Sequence, residues 1–89
     1  MPSQRMQIVN QKGLHARASA KLVETVERFD ASATIRKDGL DASGDSIMGL
    51  LMLAASRGTF IEVETKGPQA EDLIRAIADL VADKFGEGN

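Results

Sequence analysis

Ala33-Thr34-Ile35-Arg36-Lys37-Asp38-Gly39-Leu40-Asp41-Ala42 is the stretch that decides the fold. Ala33 and Ile35 alternate with Thr34 and Arg36, as in a strand with one buried face, and Asp38-Gly39 is the dipeptide that a tight hairpin turn asks for. Ala33 to Arg36 and Leu40 to Ala42 are therefore expected to be antiparallel neighbours. Downstream, Thr59 to Thr65 sets Ile61 and Val63 against Glu62 and Glu64, the pattern of a half-buried strand. Upstream, Met6 and Ile8 flank Gln7, so Met6 to Val9 reads as a strand and the polar Asn10 to Gly13 as a loop.

The segments between the strands carry the helical period. From His15 to Phe29 the apolar residues Ala18, Leu22, Val26 and Phe29 recur at three- and four-residue steps, opposite Lys21, Glu24, Thr25 and Arg28. After Ser43 and Gly44, either Asp45 or Ser46 caps a short helix with Ile47, Leu50, Leu51 and Ala54 on one face and Gly58 closing it. Gly67-Pro68 opens the last helix, with Glu71 and Asp72 in its first turns, a stripe of Ala70, Leu73, Ile74, Ile77 and Val81, Lys84 late, and Gly86 as the stop. The order β-α-β-β-α-β-α fits an α/β (α+β) open-faced two-layer sandwich: one four-stranded antiparallel sheet with three helices on one face. Residues 1–89 are expected to form a single domain, a size at which one core is enough.

Composition narrows the function. The chain has no cysteine, which removes disulfides, thiolate nucleophiles and cysteine metal sites. It has one histidine and no His-x-x-His or Glu-x-x-His spacing, so a metal site is not expected and nothing calls for a cofactor. Net charge is −2 with mixed signs, and three Phe stand without Tyr or Trp, which argues against nucleic acid as a partner. No segment has the apolar length of a signal peptide or a membrane span, so a cytoplasmic protein with no membrane partner is the expectation, and a monomer.

His15 is the one residue whose position points to chemistry. It stands at the start of the first helix, where unpaired backbone N–H groups and a partial positive charge favour an anion. A neutral imidazole there keeps a ring-nitrogen lone pair that can attack phosphorus. Arg17, charged at any working pH, can then pair with phosphoryl oxygens alongside the backbone N–H groups of Ala16 and Arg17. Read alone, a histidine at a helix start is more often a cap or a surface residue, and Arg17 a solvated side chain.

Two motifs change that balance: Gly13-Leu14-His15-Ala16-Arg17 and, further on, Ser46-Ile47-Met48-Gly49-Leu50. Together with chain length and element order they resemble the HPr family of phosphocarrier proteins over nearly the whole chain. The resemblance implies a role in the phosphoenolpyruvate-dependent phosphotransferase system. His15 Nδ1 would accept a phosphoryl group from enzyme I and pass it to IIA domains of sugar permeases, a covalent relay and not a free-standing enzyme. It implies Ser46 as a regulatory phosphorylation site for an HPr kinase/phosphorylase. It also implies docking of partners through the first helix and an apolar cluster on the short one, Ile47, Met48, Leu51 and Met52. Physically, the cluster is more than so small a helix can bury, and methionine suits a surface that meets several partners.

The chain departs from the family pattern at Ala18, where many members have proline, and at Asp45, where many have lysine. Two alternatives follow: a carrier of the nitrogen-related regulatory branch of the same system, or a non-catalytic binding module that would not require His15.

Overall fold

The computed structural model describes residues 2–88. Four strands, β1 (Ser3–Gln7), β2 (Ser32–Lys37), β3 (Leu40–Ser43) and β4 (Phe60–Lys66), form one antiparallel sheet in the order β1-β4-β2-β3. Three helices, α1 (Ala16–Glu27), α2 (Ile47–Met52) and α3 (Ala70–Ala82), complete the two-layer sandwich, and a 3-10 turn spans Lys84–Gly86. The hairpin between β2 and β3 turns at Asp38 and Gly39, with φ of 51° and 82°. Asparagine, aspartate and glycine tolerate this left-handed region best, which is why the dipeptide marks the turn.

Register follows from burial. Ile35 sits opposite Val63 on β4 and Ala42 on β3, Met6 opposite Ile61, and Ala33 opposite Thr65. All of these are buried, and they form the face that the helices cover. Along the other face Arg5, Glu62, Arg36 and Asp41 are paired in succession across the four strands, and Arg36 reaches Asp41 and Glu64 at 3.3 and 3.2 Å. Alternating charge keeps that face wetted. Leu22, Leu50, Leu73 and Ile77 complete the core from the helices, each fully buried and each contributing roughly 1.5–3 kcal/mol relative to exposure.

Boundaries differ from the sequence reading in β1, α2 and α3. β1 runs from Ser3 to Gln7 and not from Met6 to Val9, because Ser3, Gln4 and Arg5 pair with Glu64, Val63 and Glu62, a choice made by the partner strand and invisible in local alternation. In α2 the buried residues are Leu50 and the capping Leu53; Ile47 is 40% exposed and Ala54 turns outward with φ of 51°, ending the helix well before Gly58. Gly58 instead shapes the entry to β4, its N–H donating to the Ile8 carbonyl at 2.7 Å. α3 stops at Ala82, so Lys84 lies beyond it and Gly86 is not its stop. The chain leaves the helix early because Phe85 is drawn completely into the core.

Among the described residues no helix is long and apolar enough to cross a membrane, and no group of three His, Cys, Asp or Glu side chains is placed to hold a metal ion.

Candidate functional site

The loop before α1 is built to present one side chain. Gly13 has φ of 67°, and a Cβ added to it would lie 2.4 Å from the Ala55 carbonyl oxygen, so only glycine lets the loop pass this close to residues 55–56. Leu14 then plugs into the core, its N–H donating to the Ala55 carbonyl at 2.8 Å. With Leu14 committed inward, the next residue is left at the surface as the N-cap of α1: His15, extended at φ −80° and ψ −175°.

His15 caps the helix by position only. Its carbonyl accepts from Ser19 N–H at 2.8 Å, but its side chain makes no capping hydrogen bond, and α1 has no acidic residue in its first turn. The first N–H groups of the helix, those of Ala16 and Arg17 among them, have no intrahelical acceptor. They leave an open donor set with a partial positive charge.

The imidazole is held from the far side of the chain. Its Nε2 meets Glu87 Oε2, while Nδ1 has no hydrogen-bond partner among the described residues. Glu87 is fixed in turn: its Oε1 accepts from Asn10 Nδ2 at 3.0 Å. Asn10 is fully buried and gives its other Nδ2 hydrogen to the Gly13 carbonyl at 2.7 Å, tying this pair to the loop that presents His15. Burial of Glu87 works to raise its carboxyl pKa. The Asn10 and His15 hydrogen bonds, with the charges of His15 and Lys12, outweigh it and hold the group below its ordinary 4.5. What the carboxylate adds to holding the tail is thus complete above that value and lost as pH falls through the lowered one. An upfield shift of the Asn10 side-chain amide proton that faces Glu87, on acidification, is the expected sign of that loss.

Around the ring lies a cleft of about 240 Å³ whose lining includes Lys12, His15, Arg17, Lys21 and Glu87. Three cations against one carboxylate make it a place for an anion. Arg17 is exposed and makes no ion pair among the described residues, so its guanidinium is not committed elsewhere. A second cleft, about 270 Å³, opens on the other side of His15, where Leu14, Leu51 and Ala54 meet it.

The family model described as the PTS HPr component phosphorylation site matches residues 2–83. The chain belongs to the HPr family. It is similar to the HPr phosphocarrier protein of Neisseria meningitidis, 46% identical over 88 residues and 99% of each chain. It is also similar to the phosphocarrier protein NPr of Escherichia coli K12, 41% identical over 85 residues and 94% of each chain. The crystal structure of an HPr from Thermoanaerobacter tengcongensis superposes with a TM-score of 0.93 at 36% identity, covering 98% of each chain. The chain is an HPr-type phosphocarrier of the phosphotransferase system, with the open-faced sandwich of that family.

Of the HPr residues singled out in the sequence, His15, Arg17 and Leu51 meet around the two clefts. Met48 and Met52 are 70% and 74% exposed on α2, and Ile47 lies beside them, 40% exposed. Ser46 is separate from both clefts: it caps α2, its Oγ accepting from Gly49 N–H at 3.0 Å. Sequence reasoning missed Glu87, Asn10, Lys12 and Lys21. For Glu87 one signal was available, the lone apolar Phe85 in a polar tail, which anchors the chain two residues earlier.

Proposed function

We propose that this chain carries a phosphoryl group on His15 Nδ1, taking it from phosphorylated enzyme I and giving it to a IIA domain. The observation that carries the reading is the asymmetry of the imidazole: Nε2 is occupied by Glu87 while Nδ1 is unpartnered. Nδ1 is the ring nitrogen nearer the backbone, so a phosphoryl group bonded to it lies close to the open N–H groups of Ala16 and Arg17 and within reach of the Arg17 guanidinium. Phosphoryl transfer asks for positioning and charge stabilisation more than for covalent assistance. The open helix start supplies both, with about 0.3–1 kcal/mol for an exposed anion.

Ile47, Met48, Leu51 and Met52 are the apolar surface on which donor and acceptor dock in turn, next to the clefts that flank His15. Ser46 is the regulatory residue in this reading. A phosphate there adds about −1.5 to −2 charges beside the docking surface, which repels an acidic partner without unfolding the helix it caps.

Incubation with phosphoenolpyruvate and enzyme I, read by intact mass, tests the proposal. One acid-labile phosphoryl group is expected on the wild-type chain and none on His15→Ala; an unmodified wild-type chain overturns the carrier reading in favour of a binding module.

The similarity to NPr at an identity close to that of the Neisseria HPr favours a second reading, service in the nitrogen-related branch. Transfer from the phosphorylated chain to a sugar-type and to a nitrogen-type IIA domain, measured side by side, separates the two.

A further inference from the structure

The tail that follows α3 adopts a costly shape. Lys84 and Phe85 both lie in the left-handed region, with φ of 56° and 54°, a conformation that costs a non-glycine residue of order 1 kcal/mol or more. Two contacts hold it. Phe85 is completely buried, and the Lys21 ammonium donates to the Phe85 carbonyl at 2.7 Å. The turn so fixed delivers Glu87 to His15, with only 13% of the Glu87 side chain exposed and both of its oxygens engaged, one by His15 Nε2 and one by Asn10.

We propose that Glu87 is a positioning residue for phosphoryl transfer, holding the His15 proton on Nε2 in both the free and the phosphorylated chain. This rests on the carrier reading above. In the free chain, a carboxylate at Nε2 selects the tautomer whose lone pair is on Nδ1. On loading, that lone pair forms the N–P bond while the bond from phosphorus to the donor breaks and its electron pair leaves with the donor. The Nε2 proton stays, the ring becomes cationic, and the Glu87 carboxylate faces the new charge. On unloading, the acceptor's nucleophile bonds to phosphorus and the N–P electron pair returns to Nδ1, which regenerates the neutral ring. No proton moves at His15 in either direction.

Without the carboxylate, the phosphorylated ring can lose its Nε2 proton to water. The leaving group is then an anionic imidazolate, poorer than a neutral imidazole. The other charged groups around the ring are Lys12 from the loop and Arg17 and Lys21 from α1, all cations, which favour that loss. Glu87 is the anion that opposes them.

The test uses the full chain with ¹⁵N-labelled histidine and the variants Glu87→Ala and Glu87→Gln. In the unphosphorylated wild type a slowly exchanging imidazole proton is expected on Nε2; Glu87→Ala should exchange it about ten times faster, and Glu87→Gln, which keeps an acceptor, should retain it. For the phosphorylated chains, transfer to a IIA domain should fall about tenfold at roughly pH 8 in both variants and less than about twofold at roughly pH 6. A wild-type proton on Nδ1 overturns the proposal, as does Glu87→Ala transferring at the wild-type rate at both pH values. A wild-type chain that takes no phosphoryl group while its Nε2 proton is protected overturns the carrier reading instead, and with it the transfer half of this proposal.

Discussion

α1 and α2, consecutive helices along the chain, begin at polar N-cap residues of opposite behaviour. Ser46 turns its side chain back onto its own helix, satisfying the Gly49 N–H, and the neighbouring Asp45 carboxylate accepts from Ser43 Oγ at 2.6 Å. His15 turns its side chain away, toward Glu87, and leaves the first N–H groups of α1 without a side-chain partner. α3 shows a third arrangement, in which Glu71 and Asp72 place the helix's own carboxylates where an anion would go. A helix start is a site only when the chain declines to fill it. Here the declining is done by loop geometry at Gly13, by the absence of acids in the first turn, and by a tail that engages Nε2 and leaves Nδ1, the nitrogen proposed to carry the phosphoryl group, without a partner among the described residues.

The largest effect that can break this contrast is removal of the nucleophile. His15→Ala should abolish covalent loading from phosphoenolpyruvate and enzyme I, whereas Ser46→Ala should load to the same stoichiometry as wild type by intact mass. Equal loading of all three chains would mean the phosphoryl group resides elsewhere, and the difference between the two helix starts would have no chemical meaning.

Next in size is the loop that presents His15. Gly13→Ala puts a Cβ 2.4 Å from the Ala55 carbonyl at a positive φ, and it should cost about 2–4 kcal/mol in urea unfolding, from strain and backbone displacement combined. Gly39→Ala is the control. It shares the positive φ but would meet nothing within 4 Å, and should cost only about 1 kcal/mol. Similar costs at both positions would show that the approach of the loop to residue 55 is not under constraint.

How much of this could be read in the sequence depends on the range of the interaction that decides each feature. The β2–β3 hairpin was legible because the requirement for positive φ falls on two adjacent residues, Asp38 and Gly39, that announce it. The long stripes of α1 and α3 were legible for a similar reason, each being repeated over several turns. The start of β1 was not, since Ser3 to Arg5 extend only because β4 lies beside them. The end of α3 was misplaced because burial of Phe85, a tertiary event, overrides the local stop at Gly86. The same division runs through the site. His15 and Arg17 sit two residues apart in one motif, while Glu87 reaches His15 across 72 positions and Asn10 across 77, through a turn that has no period.

A smaller change would convert the start of α1 into a copy of the start of α3. Ala16 is exposed at the first position of α1, and Ala16→Asp places a carboxylate among the open N–H groups. Two outcomes of opposite sign are expected: thermal stability should rise by about 0.3–1 kcal/mol, and the rate of loading by enzyme I should fall about tenfold because the anion position is filled. A variant that gains stability and loads at the wild-type rate would show that the phosphoryl group does not use the helix start.

The smallest expected effect tests the other helix. Ser46→Ala removes an acceptor from Gly49 N–H and should destabilise the chain by about 1 kcal/mol, the ordinary cost of an N-cap, with loading of His15 unchanged. Ser46→Asp sharpens the measurement, because aspartate is as good a cap as serine and adds negative charge. Its stability should match wild type to within a few tenths of a kcal/mol, since the charge sits at the favourable end of α2. Any loss of loading in Ser46→Asp that Ser46→Ala lacks must then come from charge beside Met48 and Met52 and not from a frayed helix. If both variants lose stability and loading together, Ser46 matters only as a cap, and α2 loses its claim to a regulatory start.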